Sequence, residues 1–244
     1  MLKKTQCILI GNRRLLSLIP PDTHVMVDGI VITPNTSVKN LGIYFDNYLM
    51  FDTHITELIK KALRIIMFVN RIKDNFNKST RIIVVQSLVM SIINYGISIW
   101  GAANKTQVER VQKIQNFAAK VALGGAAKSD HVTPFLRKLK WLKINYQYEY
   151  EILTVTYRKI KHDLPDWLLP LACVGESRCH HVNTRQTQHL QHVPLCNTCL
   201  ATKSFQVTAP SLWNNLPPAV QHAPSLFTFK SRLKEFLLNR QFPQ

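Results

Sequence analysis

The chain changes its hydrophobic period once, near Asp46 and Asn47, and this change restricts the folds that it can adopt. Before it, short β-branched runs alternate with turn residues, and the pair Asp28-Gly29 separates two such runs, as in a two-residue β-hairpin. After it, apolar residues recur mostly at helical spacing. We therefore expect an α+β fold, with a small N-terminal antiparallel sheet, a mainly α-helical bundle, and an irregular C-terminal region that ends in a helix.

The last β-type stretch, residues 38–45, reads as a single strand with Gly42 inside it. A glycine inside a strand marks a bulge, or a place where another backbone or a ligand comes close. Spacing alone favours the plainer interpretation, a tight packing point. The first 48 residues hold too little apolar sequence to form a core of their own.

Helical spacing predicts long helices over residues 55–73, 80–100, 105–123, 146–161 and 224–239, and Thr133-Pro134 begins a shorter one. The side chains that can cap the first four long helices are Asp52 or Thr53, Ser79, Asn104 and Asn145. Residues 80–100 are apolar nearly all round, so we expect this helix to be central. Residues 173–202 have no clear period and read as loop or irregular strand.

The charge balance is strongly basic, with 31 Lys and Arg against 14 Asp and Glu and a net charge of +17 spread along the chain. Such a surface attracts polyanions, of which nucleic acid is the commonest; an anionic membrane and an inert basic surface are the alternatives. Two predicted helices carry basic residues on one side, and these are our candidate phosphate contacts: Lys60, Arg64, Arg71, Arg110, Lys113 and Lys120.

The sequence also predicts the cellular compartment. The N-terminus is followed by no long apolar stretch of the signal-peptide type, and an odd number of cysteines, five, favours reduced thiols. The most apolar run, residues 82–100, is interrupted by polar residues, which favours a buried helix over a transmembrane segment. We expect an intracellular protein, in the nucleus or the cytoplasm, that does not bind membranes.

Zinc-ligand residue types cluster near the C-terminal third, at His189, His192, Cys196 and Cys199. Only three residues separate His192 from Cys196, whereas two-part zinc sites usually have a longer intervening loop, so ordinary polar loop residues are the favoured interpretation. A polymerase needs paired aspartates to hold two metal ions, and the chain contains no Asp-Asp pair. The residues alone therefore indicate a basic module that binds nucleic acid.

Eight short strings occur in a characteristic order along the chain. They are residues 4–11 (KTQCILIG), 38–46 (VKNLGIYFD), 51–55 (FDTHI), 111–120 (VQKIQNFAAK), 130–134 (DHVTP), 139–142 (LKWL), 209–217 (APSLWNNLP) and 225–230 (SLFTFK). Together they resemble the reverse transcriptases of non-LTR (LINE-type) retrotransposons, in particular the jockey-like and chicken-repeat-like groups.

This resemblance implies roles for named residues. Lys4 matches a lysine thought to act as a general acid near the incoming nucleotide. Leu41 and Gly42, with Lys39 beside them, match the primer grip, the hairpin that holds the primer's 3′ end. Residues 1–48 would then be the end of the palm, and residues 49–165 the thumb, which straddles an RNA–DNA or RNA template/primer duplex. Residues 166–244 would be the C-terminal region of the family.

The resemblance also implies what the chain lacks. The complete enzymes use two Mg²⁺ ions, and both aspartate motifs that bind them belong before the point where this sequence starts. We therefore expect a truncated RNA-directed DNA polymerase that keeps primer/template-binding parts, needs no cofactor and is not an enzyme as it stands. The alternatives are a non-enzymatic interaction module that binds nucleic acid or zinc, and a transposon relic without function.

Overall fold

The computed structural model describes residues 5–124, 130–161, 191–196, 198 and 200–243. The chain forms two compact units, residues 1–135 and 136–244. Short strands lie at the N-terminus and helices follow, so the predicted α+β class is confirmed. The functional boundaries at residues 48 and 165 stay predictions.

The strands of the first unit form three separate pairs. The strands are β1 (Cys7–Ile8), β2 (Val25–Val27), β3 (Ile30–Ile32), β4 (Pro34–Asn35), β5 (Ser37–Asn40) and β6 (Ile43–Asp46). β2 with β3 and β5 with β6 are antiparallel, whereas β1 pairs with β4 in parallel. The predicted turn at Asp28-Gly29 is confirmed, because both residues have the positive φ angles of a two-residue hairpin loop, 49° and 75°.

The prediction of one strand over residues 38–45 is wrong. The chain reverses at Leu41-Gly42, where the φ angles are 46° and 85°, and β6 runs back along β5 with Asn40 opposite Ile43. Two consecutive positive φ angles match the right-handed twist of paired strands, and glycine adopts them without steric cost. The glycine therefore marks a hairpin turn rather than a bulge inside one strand.

The helices of the first unit are α1 (Arg13–Leu16), α2 (Asp52–Arg71), α3 (Lys78–Val85), α4 (Ser91–Asn94), α5 (Ile97–Trp100) and α6 (Lys105–Ala122); α7 (Thr133–Leu139) ends in the second unit. Helical spacing predicts one inward side for α2, and its residues Ile55, Leu58, Ala62, Ile66 and Val69 are buried. Ile59, Ile65 and Ile72, which have the same spacing, are half-buried. α2 packs against α3, α4 and α6, and this burial is the main favourable term in folding. None of the described helices combines the length and apolarity that a bilayer span requires.

The predicted helix over residues 80–100 is interrupted twice. A π-helical segment, Gln86–Met90, follows α3, and the chain turns at Tyr95-Gly96, where Gly96 has a φ of 63°, before α5 begins. The indole N–H of Trp100 donates to the carbonyl of Tyr95 at 3.0 Å and holds this turn. The stretch is also not buried all round, because Ile83 is 63% exposed.

Three predicted helix caps are wrong. Phe51, not Asp52 or Thr53, occupies the N-cap of α2, with a left-handed backbone and no side-chain cap. Asn77 rather than Ser79 caps α3, and Asn145 lies inside α8 (Ile144–Ile160), whose N-cap is Lys143. Only the cap at Asn104 is confirmed, where the side chain accepts from the amide of Gln107. In each case another residue has the extended or turn backbone that a cap needs.

The second unit contains more helix than expected. α8 is followed by α9 (Phe205–Asn214), α10 (Pro218–Gln221) and α11 (Leu226–Gln241), so the stretch after residue 204 is not irregular. Its core stacks Tyr157 on Phe229 at 4.3 Å between ring centroids, with Trp213 beside them. The buried Tyr157 hydroxyl donates to the carbonyl of Ala223 at 2.8 Å, so this large side chain is buried without losing its hydrogen bond.

Candidate nucleic-acid interface

The β5–β6 hairpin presents its turn to solvent. The side chain of Leu41 is 83% exposed, although leucine is apolar and its backbone is left-handed here. Its carbonyl accepts a hydrogen bond from the hydroxyl of Tyr95 at 2.6 Å, which ties the turn to the helical part of the unit. On β5, the Lys39 ammonium lies 5.0 Å from the centroid of the Tyr44 ring. The hairpin therefore offers a cation and an apolar tip on a restrained turn.

Gly42 lies in this turn for a conformational reason. A Cβ atom added there would come 3.5 Å from the Tyr95 ring, an ordinary contact distance. Its φ of 85°, however, is one that side-chain-bearing residues rarely adopt. The interpretation of this glycine as a tight packing point is therefore wrong, and the turn geometry accounts for it.

The exposed face of α2 is basic, with apolar side chains between the cations. At 3.6 residues per turn the exposed residues share one side of the helix. We call this face the α2 stripe; it consists of Lys60, Lys61, Arg64, Met67, Phe68 and Arg71. Met67 and Phe68 are 53% and 59% exposed. Glu57 pairs with Lys60 at 2.8 Å, and this hydrogen bond and charge lower the pKa of Glu57.

A cleft of about 360 Å³ connects the hairpin to α2 and to the end of α4. Gly42 and Tyr44 line it from the hairpin, His54 and Lys61 from α2, and Tyr95 from the far side. His54 is only 6% exposed and its Nε2 atom has no hydrogen-bond partner. Burial lowers the pKa of His54, and the positive charge of Lys61 lowers this pKa further. The hairpin turn thus meets α2 at one cleft, to which the α2 stripe contributes Lys61.

The predicted basic residues of α6 differ in their surroundings. Arg110 donates from Nη1 to the Gln107 side chain at 2.7 Å and from Nη2 to the Thr56 hydroxyl at 3.3 Å. The bond to Thr56 joins α6 to α2, so Arg110 holds the two helices together in addition to carrying charge. Lys113 is exposed, and Lys120 is half-buried near the end of α6.

The carboxylates at the end of β6 and the start of α2 are engaged in hydrogen bonds that shape the fold. Asp46 accepts from the backbone amides of Tyr48, Met50 and Phe51, at 3.0, 3.0 and 2.6 Å. Asp52 accepts from the side-chain amide of Gln107. Asp46 therefore stabilises the turn that leads into α2, a role predicted from the sequence for Asp52 or Thr53 as helix caps.

Some predicted site residues cannot be placed. Lys4, His189 and Cys199 lie outside the described residues, whereas His192 and Cys196 are described and half-buried, and Cys196 is a free thiol. Within the described part of the chain, no three His, Cys, Asp or Glu side chains are grouped as a metal site would require. The zinc hypothesis stays a prediction.

Sequence reasoning identified Gly42 but missed the other residues that line the cleft, among them Tyr44, His54, Lys61 and Tyr95. Lys61 could have been found, because it follows Lys60 and lies within one turn of Arg64 on α2. Tyr95 precedes a glycine that interrupts an apolar run, which was itself a signal of a turn. The residues next to His54 in the sequence do not indicate whether a histidine near the start of a helix is buried or exposed.

Comparison with known proteins identifies two similar proteins, both from Drosophila melanogaster. One is the probable RNA-directed DNA polymerase from transposon BS, with 29% identity over 108 residues, which are 43% of this chain and 12% of that protein. The other is the probable RNA-directed DNA polymerase from transposon X-element, with 26% identity over 110 residues and the same two shares. No family model matches the chain, and no solved structure does. The matched segment thus spans 12% of each of these relatives, and it supports a relation of this chain to transposon RNA-directed DNA polymerases.

Proposed function

We propose that this chain is a primer/template-binding part of a non-LTR retrotransposon RNA-directed DNA polymerase. In this proposal the first unit holds an RNA–DNA duplex between the β5–β6 hairpin and the α2 stripe. The observation that carries the proposal is the meeting of these two surfaces at one cleft, to which Gly42 and Lys61 both contribute. The similarity to transposon RNA-directed DNA polymerases supports a nucleic-acid template as the partner.

The chemistry of the stripe suits a phosphate backbone. Lys60, Arg64 and Arg71 recur on one side of α2, so successive phosphates of a duplex can each meet a cation. Contacts of this kind fix the position of a duplex without reading its sequence. The exposed Leu41 tip and the exposed Phe68 ring add apolar surface against sugars. We therefore expect binding that depends on duplex shape and charge.

The proposal assigns binding, not phosphoryl transfer, to this stretch. Asp46 and Asp52, at the start of α2, have hydrogen-bond partners within the fold, and Glu57, which lines the cleft, pairs with Lys60. The Mg²⁺ ions of the polymerase would then be held by residues elsewhere in the longer polypeptide that the relatives represent. We expect the isolated chain to bind a primer–template and to extend no primer.

Salt dependence tests the proposal. Replacing Lys60, Arg64 and Arg71 together by Gln removes three phosphate contacts, so the slope of log K against log salt for an RNA–DNA hybrid should become shallower by about 2–3. Fluorescence anisotropy of a labelled hybrid across a salt titration measures this slope. Circular dichroism of the variant checks that the helices still form.

A matched control distinguishes the effect of the α2 stripe on binding from the effect of the overall net charge. Replacing Lys138, Lys161 and Lys230, exposed residues of the second unit, by Gln removes the same net charge. This control should leave the slope close to that of the unchanged chain. If both variants lose affinity equally, the basic composition rather than the α2 stripe binds the duplex, and the proposal for this site is refuted.

A further inference from the structure

The second unit has a basic groove of its own, between the end of α7 and the C-terminal half of α11. Its volume is about 670 Å³. The lining side chains relevant here are Arg137, Lys140, Lys234, Glu235, Leu238 and Phe242. Three cations thus face one carboxylate among the lining residues that the structure describes, which favours an anionic ligand.

Lys140 occupies a backbone position that normally belongs to glycine. α7 ends in a Schellman motif, in which the amide of Trp141 donates to the carbonyl of Leu136 at 3.0 Å and the amide of Lys140 to that of Arg137 at 3.1 Å. Lys140 has a φ of 52° at the left-handed position of this motif. A lysine there destabilises the fold relative to glycine, yet it places an ammonium group in the groove.

An aromatic ring with a cation over it completes the groove. The guanidinium carbon of Arg137 lies 5.3 Å from the centroid of the Phe242 ring. Arg137 is exposed, so a planar group can stack on the open face of its guanidinium. Bases of single strands bind to such aromatic and guanidinium planes, whereas the bases of a duplex are stacked on each other.

The same surface continues along α11. Phe227 is 85% exposed and lies seven residues before Lys234, which puts both on one side of the helix. From Phe227 to Phe242 the helix axis rises about 22 Å. Aromatic, cation and aromatic groups therefore follow one another along this face, in the arrangement that single-strand-binding grooves use.

We propose that the α7–α11 groove, formed by Arg137, Lys140, Lys234 and Phe242, binds single-stranded nucleic acid. Lys140 and Lys234 contact phosphates, and a base stacks on the Arg137–Phe242 pair. A bilayer surface would require a flat apolar face, and a phosphorylated peptide has no planar group at each repeat that would use the aromatic residues. This inference concerns the second unit and does not depend on the duplex proposal for the first.

The experiment uses the full chain with a labelled 12-nucleotide single-stranded RNA of mixed sequence. Lys140→Gly removes the ammonium group while relieving the backbone, so this variant should unfold at a higher urea concentration and yet bind the RNA more weakly. Phe242→Leu keeps an apolar side chain but removes the ring, and it should weaken binding about fivefold or more. Lys161→Gln, an exposed cation outside the groove, is the charge control and should bind like the unchanged chain.

The outcomes are distinct from those of the duplex test. The inference holds if Lys140→Gly and Phe242→Leu weaken binding of the single strand but not of the RNA–DNA hybrid. It is overturned if neither variant changes the affinity for the single strand, or if both variants lose no more affinity than Lys161→Gln does. It is also overturned if double-stranded RNA or phosphatidylserine vesicles displace the labelled strand as effectively as the unlabelled strand does.

Discussion

At the scale of single residues, the informative positions are those whose backbone suits a different amino acid. Among the described residues, those other than glycine with positive φ angles are Asp28, Leu41, Leu49, Phe51 and Lys140. Leu41 and Lys140 are exposed and lie at the two proposed binding surfaces. Left-handed backbone costs an ordinary residue roughly 1–2 kcal/mol, so these side chains are retained against a local preference for glycine or asparagine.

Leu41 allows this argument to be tested at the hairpin. Leu41→Asn converts the turn to Asn-Gly, the preferred pair for this type of loop, and should raise the free energy of unfolding by about 0.5–1 kcal/mol. Urea denaturation followed by circular dichroism measures the change. If the apolar tip contacts nucleic acid, the same variant binds the RNA–DNA hybrid more weakly. A gain in stability with unchanged hybrid affinity would leave Leu41 without a binding role.

His54 predicts a pH dependence of stability. Its pKa is lowered in the folded state by burial, with the Lys61 charge as the second cause, so the unfolded chain binds a proton at this residue more readily than the folded chain. The contribution of His54 to the free energy of unfolding is therefore fully present above about pH 6.5, the pKa of the unfolded chain. It is lost as the pH falls from that value toward the lowered pKa of the folded chain.

Substitution of His54 isolates its share of this effect. His54→Phe keeps an aromatic ring beside Trp100, whose centroid lies 6.3 Å away, and removes the titration. The variant should lose less stability than the unchanged chain between pH 7.5 and pH 5.5, as measured by urea midpoints of the first unit. Parallel pH curves for the two proteins would contradict the assigned cause.

At the scale of elements, the break between α4 and α5 determines how the hairpin is supported. Gly96 has a φ of 63°, and a Cβ atom there would lie 2.4 Å from Cδ1 of Ile43, the first residue of β6. The turn also positions Tyr95, whose hydroxyl bonds to Leu41. One glycine thus allows a buried helix to end, the hairpin to pack closely and the cleft to form.

Gly96→Ala should be strongly destabilising, by about 2–4 kcal/mol, because left-handed strain and overpacking add together. Gly29→Ala is the matched control: its φ is 75°, but nothing lies within 4 Å of the added Cβ atom. The control should cost about 1–2 kcal/mol, from backbone strain alone. Equal losses in urea denaturation would show that contact with Ile43 contributes nothing.

At the scale of the whole molecule, the net charge of +17 is distributed over two units, each with its own core. The first unit combines its cations with a hairpin and a long helix, and the second combines them with aromatic side chains around a groove. Among the described residues, ion pairs join Glu57 to Lys60, Glu109 to Lys105 and Glu149 to Arg240. Most of the basic surface is therefore available to a polyanion. We propose that the first unit binds a duplex and the second unit binds a single strand.

The sequence by itself determined the fold class, the Asp28-Gly29 hairpin, the buried side of α2 and the Asn104 cap, because each depends on residues close together in the chain. It also indicated a polyanion partner through charge, and the motif order predicted the relation to polymerases. It did not reveal the break at Gly96, the Asp46 interactions that begin α2, or the helices α9 and α10. The break at Gly96 depends on packing between distant residues, since Ile43 of β6 lies against Gly96, whereas the Asp46 bonds are local but depend on a turn geometry that residue type alone does not specify.

The binding surfaces show the same division. The cations of the α2 stripe follow from helical spacing alone, since residues three and four apart share a face. The meeting of Lys61 with Gly42, the burial of His54 and the groove that contains Lys140 and Phe242 arise only when segments about 20 to 100 residues apart pack together. Local pattern therefore determined which residues carry charge, and tertiary packing decided which of them share a site.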